Sequence, residues 1–209
     1  EVWRFRDYVI RALNADKPFD RFLIEQLAGD EVEGANTETI LATGFNRLGP
    51  WDDEPADFAV DRFDQLDDIV NTTSQAFLGL TMGCARCHDH KFDPLLHTDY
   101  YSMVAIFNPL QRPQSGRTEL TRYAVPHAQA KPFEARDKKI AAAQTTIKKL
   151  DEQLKKKPDD ASLKRQKAEQ SALIAKLEKE LPSPAKGYFL FEPSPTPPVT
   201  HLLKRGNPK

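Results

Sequence analysis

The sequence predicts a mainly α-helical protein: a helical bundle, an inserted antiparallel helical hairpin, and a short proline-rich stretch with β or extended structure at the C-terminal end. Three observations predict it. Apolar residues recur at 3–4 spacing through residues 1–112, and few segments alternate as strands do. Residues 134–181 keep that spacing in a run of Lys, Glu, Asp, Gln, Ala and Leu without an aromatic side chain. Residues 182–209 hold seven of the 16 prolines.

In the first zone, Val2, Phe5, Val9, Ile10 and Leu13 fit one helix face. Asp16 is the expected N-cap of a second helix, with Pro18 in its first turn and Phe19, Phe22, Leu23 and Leu27 behind it. Gly29 ends that helix. Thr37 is expected to cap a short helix through Leu41, and Gly44 and the Gly49-Pro50 pair interrupt the chain. A long helix is expected from Phe58 to Leu80, with Phe63, Leu66, Ile69, Val70, Thr73, Phe77 and Leu80 inward. Thr98 is expected to cap a further helix with Tyr101, Val104, Ala105 and Phe107.

The domain reading is a helical domain over 1–112, truncated at its N-terminus, and a linker over 113–133. An antiparallel coiled-coil hairpin over 134–181 and a Pro-rich segment over 182–209 that leads into a following domain complete it. In the hairpin, Ile140, Ala143, Ile147, Leu150 and Leu154 form one stripe. Leu163, Lys167, Gln170, Ile174, Leu177 and Leu181 form the other. Pro158 stops the first helix, and Asp159 or Asp160 caps the second. Helices of about 22 residues span about 33 Å at 1.5 Å per residue. Gly187 to Phe191 and Val199 to Lys204 are strand candidates.

The 209 residues weigh 23.7 kDa, with 39% apolar and 29% charged residues and a mean hydropathy of −0.60. The net charge of −1 removes the electrostatic case for nucleic acid or an anionic membrane. No apolar run is long enough to span a bilayer. Two cysteines are too few for a disulfide scaffold.

Those two cysteines lie in Gly83-Cys84-Ala85-Arg86-Cys87-His88-Asp89-His90-Lys91-Phe92-Asp93-Pro94. Cys-x-x-Cys-His is the attachment pattern of c-type haem. Two thiols at this spacing meet the two vinyl groups along one porphyrin edge, and the adjacent His88 gives its imidazole to iron as proximal ligand. Alternatives are a thioredoxin-like pair, a structural zinc site from Cys84, Cys87, His88 and His90, and a Cys84–Cys87 disulfide. For the sixth iron ligand the local candidates are Met82, His90, His97 and Met103. His90 is also a candidate for a local hydrogen bond to Asp93 or to a haem propionate. Trp51-Asp52-Asp53-Glu54-Pro55 with Asp57 is read as a solvated turn that caps the next helix, or as a calcium loop. The acidic run Asp61, Asp64, Asp67, Asp68 is read as a solvated or inter-domain face.

Several stretches together resemble one family. They are Trp3 to Ile10, Asp16 to Phe22, Glu25 to Asp30, Ala42 to Phe45, Asp64 to Asp68, Gly79 to Pro94 and Asp99-Tyr100-Tyr101. The family is the planctomycete cytochrome-type domain of unknown function, often labelled PSCyt. Leu202 to Pro208 resembles the opening of the second uncharacterised domain that follows it in such proteins. The resemblance implies a haem-bearing, multidomain protein exported to the bacterial periplasm or cell surface. The expected role is electron transfer through covalent haem c to a redox partner protein or domain of the same polypeptide. The alternatives are a haem- or metal-dependent oxidoreductase acting on a small or carbohydrate-derived substrate, and a structural zinc or interaction module.

Overall fold

Apolar spacing sets where the first helices form, but aromatic and charged partners decide which face each one buries. The computed structural model describes residues 1–208. Helix α1 (Trp3–Asn14) turns Phe5, Tyr8, Val9 and Ala12 inward. Three residues expected on that face, Val2, Ile10 and Leu13, are about half exposed or more. Tyr8 decides the rotation. Its ring stacks on Phe22 at 5.9 Å between centroids, and its hydroxyl donates to Glu25 at 2.9 Å. A helix has one stripe of about 100° to bury, so facing Tyr8 inward carries Ile10 and Leu13 outward.

Helix α2 (Phe19–Ala28) starts two residues later than expected. Asp16 lies in the left-handed region at φ 49, and Pro18 holds the N-cap position. Phe19 points outward. Glu25 is buried among three donors: Tyr8, Lys17 Nζ at 2.5 Å and Arg21 Nε at 2.8 Å. Burial alone would raise its carboxyl pKa, but the hydrogen bonds from Lys17, Tyr8 and Arg21 outweigh it and hold it below the usual range. Gly29 follows with ordinary right-handed dihedrals. Its glycine requirement comes from packing, since a Cβ there would stand 2.0 Å from the Thr39 carbonyl oxygen. Helix α3 (Thr37–Ala42) is capped by Asn36 rather than Thr37. Asn36 Oδ1 accepts from the Glu38 and Thr39 amides, and Thr39 Oγ1 accepts from the Asn36 amide, a reciprocal box. A 3₁₀ turn over Thr43–Arg47 follows.

Helix α4 (Phe58–Thr73) is capped by Asp57, whose Oδ1 accepts from Ala59 at 2.9 Å and Val60 at 3.1 Å. It is shorter than expected. Residues Ser74–Leu78 widen into a π turn, and Gly79 breaks the chain away at φ 67. Helix α5 is His97–Phe107. Leu66, Ile69 and Val70 of α4 meet Tyr100, Tyr101, Val104 and Phe107 of α5, with Met82 and Ala85 between them. Ala105 is exposed, and Tyr100 is fully buried.

The chain divides into two units, one of residues 1–122 with 186 onward, the other of residues 123–185. The expected linker over 113–133 is partly ordered structure. Strands β1 (Gln114–Ser115) and β2 (Thr118–Glu119) pair antiparallel with Gln114 opposite Glu119. Helix α6 (His127–Lys156) begins seven residues before the expected hairpin start. Pro126 occupies its N-cap, and Pro132 sits in the second turn, close enough to the end that few bonds are lost. Helix α7 (Ala161–Glu180) is capped by Asp160, which accepts from Ser162 at 2.9 Å and Leu163 at 3.2 Å. The two helices run antiparallel. Lys167 pairs with Asp151 at 2.7 Å toward the turn, while Arg136 at the open end bonds the Leu181 carbonyl and Ser183 Oγ. Helix α6 buries Ala130, Arg136, Ala143 and Leu150, and α7 buries no residue fully. The Ala124 amide donates to the Ala185 carbonyl at 2.8 Å, closing the base of this unit.

The C-terminal segment belongs to the first unit. Of the strand expected over Gly187–Phe191, Gly187 ends a two-residue strand, Lys186–Gly187, and Phe191 forms a bridge in which it exchanges hydrogen bonds of 2.9 and 3.1 Å with Gln111. Phe189 and Leu190 are buried. Val199 to Lys204 forms no strand.

Glu25→Gln is expected to cost about 3 kcal/mol in urea unfolding at pH 7, because Lys17 then faces no charge in a buried site. A depressed native pKa stabilises above the unfolded value of about 4.3 and loses that contribution as pH falls through the native value. The variant is therefore expected to show a flatter acid limb than the parent. Removal of residues 140–177 with a two-residue turn in their place is expected to leave the near-ultraviolet signature of the first unit unchanged, with ellipticity at 222 nm reduced.

Candidate functional site

The motif turn is the 3₁₀ helix Met82–Arg86, continued by Cys87, whose amide donates to the Cys84 carbonyl at 3.4 Å. At three residues per turn, positions i and i+3 eclipse. Met82 and Ala85 are consequently both buried in the core, and Cys84 and Cys87 both face outward. Gly83 allows the turn to sit against α4, since a Cβ there would lie 2.5 Å from Asn71 Oδ1. Both thiols are free, so the disulfide alternative is not formed.

Arg86, between the cysteines, is tied at both ends. Its carbonyl accepts from His97 Nε2 and from the Tyr101 hydroxyl, each at 3.0 Å. These donors are one turn apart on α5, and their rings meet edge to face at 5.0 Å. Its guanidinium bonds Asp64 at 3.1 Å and lies 3.4 Å from Asp67. Asp67 also accepts from the Tyr100 hydroxyl at 2.5 Å. Burial and that hydrogen bond push the Tyr100 phenol far above its ordinary value. The acidic run expected as a solvated face is therefore partly spent inside the molecule, where Asp64 and Asp67 anchor the motif turn.

His88 is exposed, and its Nδ1 donates to the Asp89 carbonyl at 2.8 Å. That tautomer leaves Nε2 with the lone pair. His90 is different. Its Nδ1 accepts from the Asp93 amide at 2.9 Å and the Phe92 amide at 3.3 Å, and its Nε2 donates to Thr81 Oγ1 at 3.2 Å. The Asp93 carboxylate lies 3.3 Å from the same ring. His90 thereby organises a loop over residues 89–94, closed by its amide bond to the Leu95 carbonyl at 2.8 Å. The Asp89 carboxylate accepts from the His97 amide at 2.7 Å and so satisfies the start of α5. Met82 is buried and Met103 packs against the core.

The C-terminal segment completes the site, a feature the sequence reading missed. Arg205 and Gly206 are consecutive left-handed residues at φ 53 and 68. A Cβ on Gly206 would stand 2.9 Å from Cys87 Sγ and 3.2 Å from the Arg86 carbonyl oxygen. Only a glycine permits both the conformation and that approach. Leu203 packs on the core, and its backbone bonds the Tyr101 hydroxyl.

The donor set fits a covalent haem: two free outward thiols on eclipsed positions and an adjacent imidazole whose Nδ1 is held by the Asp89 carbonyl. Phe92, 82% exposed, and Leu96, 52% exposed, offer apolar surface on the loop after the motif. A zinc site fits less well. His90 has both ring nitrogens engaged, and among the described residues no three His, Cys, Asp or Glu side chains converge as a metal site.

Gly206→Val is expected to displace the C-terminal segment and raise the rate of iodoacetamide alkylation at Cys87 several-fold, with Cys84 unchanged. Peptide mass spectrometry reads both rates separately. An unchanged rate at Cys87 would show that Gly206 does not screen that thiol.

Residues 1–112 match the family model PSCyt2, a protein of unknown function (DUF1549), and the chain belongs to that family. No curated protein and no solved structure gives a match.

Proposed function

We propose that this member of the PSCyt2 family is a c-type haem domain that carries electrons within a larger exported protein, to a redox partner protein or domain of the same polypeptide. Cys84 and Cys87 form the thioethers, and His88 Nε2 is the proximal ligand. The observation that carries the reading is the 2.8 Å bond from His88 Nδ1 to the Asp89 carbonyl beside two free, outward thiols. A ligating histidine needs its second nitrogen held by an acceptor, which fixes ring orientation and tautomer.

When bound, haem supplies a one-electron couple. The chain's own residues orient and support it. The Asp64–Arg86–Asp67 pairs and the two bonds to the Arg86 carbonyl fix the spacing of the thiols. His90 and Asp93 shape the loop that follows His88. His97, held to the Arg86 carbonyl through Nε2, would have Nδ1 to offer to the haem iron or a propionate. Export to the periplasm or cell surface belongs to the same proposal, and the two thiols must then be kept reduced until they add to the haem vinyl groups.

Expression with haem-maturation machinery tests the reading. The denatured protein is expected to retain haem mass and a pyridine-haemochrome spectrum, and Cys84→Ser with Cys87→Ser to lose both. His88→Ala is expected to keep the covalent haem and lose its low-spin spectrum, while His90→Ala keeps both. Stoichiometric zinc without haem would overturn the proposal in favour of a structural metal module. Turnover of a small substrate by the haem-loaded chain would replace transfer with catalysis.

A further inference from the structure

The whole-chain charge of −1 conceals a separation of sign. Residues 123–185 carry 14 Lys and Arg against nine Asp and Glu, and the rest of the chain carries 16 against 22. Within the second unit part of the excess is laid along one helix face. Lys138, Lys148, Lys149, Lys155 and Lys156 of α6 are all exposed. At about 100° per residue they share an arc of about 120° opposite Ala143 and Leu150, the buried positions turned into the hairpin seam. The stripe runs for about 27 Å at 1.5 Å per residue. Between its ends the other residues on that arc are Ala141, Thr145 and Glu152.

These lysines are unspent. None of the five ammonium groups has a carboxylate within 4.0 Å among the described residues, Glu152 included. Other basic residues of the hairpin are paired: Lys167 with Asp151 at 2.7 Å, Arg165 with Glu169 at 3.0 Å and Lys164 with Asp159 at 3.6 Å. The like charges of the stripe therefore repel one another, and a row of anions laid along it removes that repulsion. The composition of the stripe narrows the partner. It holds no aromatic ring to stack a base and no large apolar side chain to enter a bilayer. It holds no arginine, and so lacks the planar fork that grips phosphate through two parallel bonds. Point charges in a straight row on a narrow helix face match a thin linear polymer that carries carboxylate or sulfate groups at regular intervals.

We propose that this face of α6 binds a linear acidic polysaccharide, carboxylated or sulfated, through Lys138, Lys148, Lys149, Lys155 and Lys156. The site is independent of the haem reading and needs no loaded cofactor.

Hexagalacturonate and a heparin hexasaccharide test it, one carboxylated and one sulfated, with maltohexaose as the neutral control. The full chain, ¹⁵N-labelled, is titrated with each. At least one acidic probe is expected to shift the amides around Lys148 and Lys155 saturably, with maltohexaose shifting none. Its affinity is expected to fall at least tenfold between about 50 and about 300 mM NaCl, because exposed charges are screened. The tighter acidic probe identifies the anionic group. Lys148→Gln, Lys149→Gln, Lys155→Gln and Lys156→Gln in one chain, which keep helix propensity, are expected to weaken binding at least tenfold. The same loss of charge on α7, through Lys164→Gln, Arg165→Gln, Lys176→Gln and Lys179→Gln, is expected to leave it within about twofold. Equal weakening by both sets would show attraction by net charge alone and would overturn the site. So would an absence of saturable shifts with both acidic probes, or tighter binding of a twelve-residue oligothymidylate or of phosphatidylglycerol vesicles than of either hexasaccharide.

Discussion

The packing of the Met82–Arg86 turn between α4 and α5 is the constraint on which the rest of the first unit depends. Met82 and Ala85 are buried in the same core as Leu66, Val70, Tyr100 and Val104. Because a 3₁₀ turn eclipses every third residue, fixing that inner pair fixes the outer pair of cysteines as well. The thiols are thus positioned by residues that never touch them. The same logic extends to the backbone, where the Arg86 carbonyl is a shared acceptor for His97 and Tyr101.

Polar groups do for specificity what the apolar core does for stability. Arg86 is tied to α4 through Asp64 and Asp67, and Asp67 in turn holds Tyr100 on α5. One network therefore joins the motif turn to both helices that sandwich it. In the α1–α2 region Glu25 has a comparable role, since Tyr8, Lys17 and Arg21 all converge on its carboxylate. Such groups select one arrangement among several that would bury similar apolar area.

That is also where sequence reading reaches its limit. The mainly helical class and the hairpin stripes from Ile140 to Leu154 and Leu163 to Leu181 are visible as spacing alone, since two facing helices have little else to satisfy. The α1 face is not. Val2, Ile10 and Leu13 fit the periodicity as well as Phe5 and Val9, and the tie is broken by Tyr8, whose partners lie on the next helix. The acidic run reads as a solvated or inter-domain face because charge is normally solvated, and only the three-dimensional placement of Arg86 and Tyr100 shows Asp64 and Asp67 engaged. Cys84, Cys87 and His88 were legible as a motif, whereas Gly206 could not be assigned to them from spacing, being more than a hundred residues away.

The bond between Ala124 and Ala185 has a kinetic side. In the first unit, Gln111 must find Phe191 across eighty residues of chain, a costly loop to close in an unfolded polymer. Helix α6 and helix α7 face each other across a four-residue turn, so their contacts are local and form quickly. Once they zip and Ala124 meets Ala185, the separation that the chain must search shrinks from eighty residues to about twenty. A hairpin that folds from local contacts in this way shortens the loop that this pairing has to close.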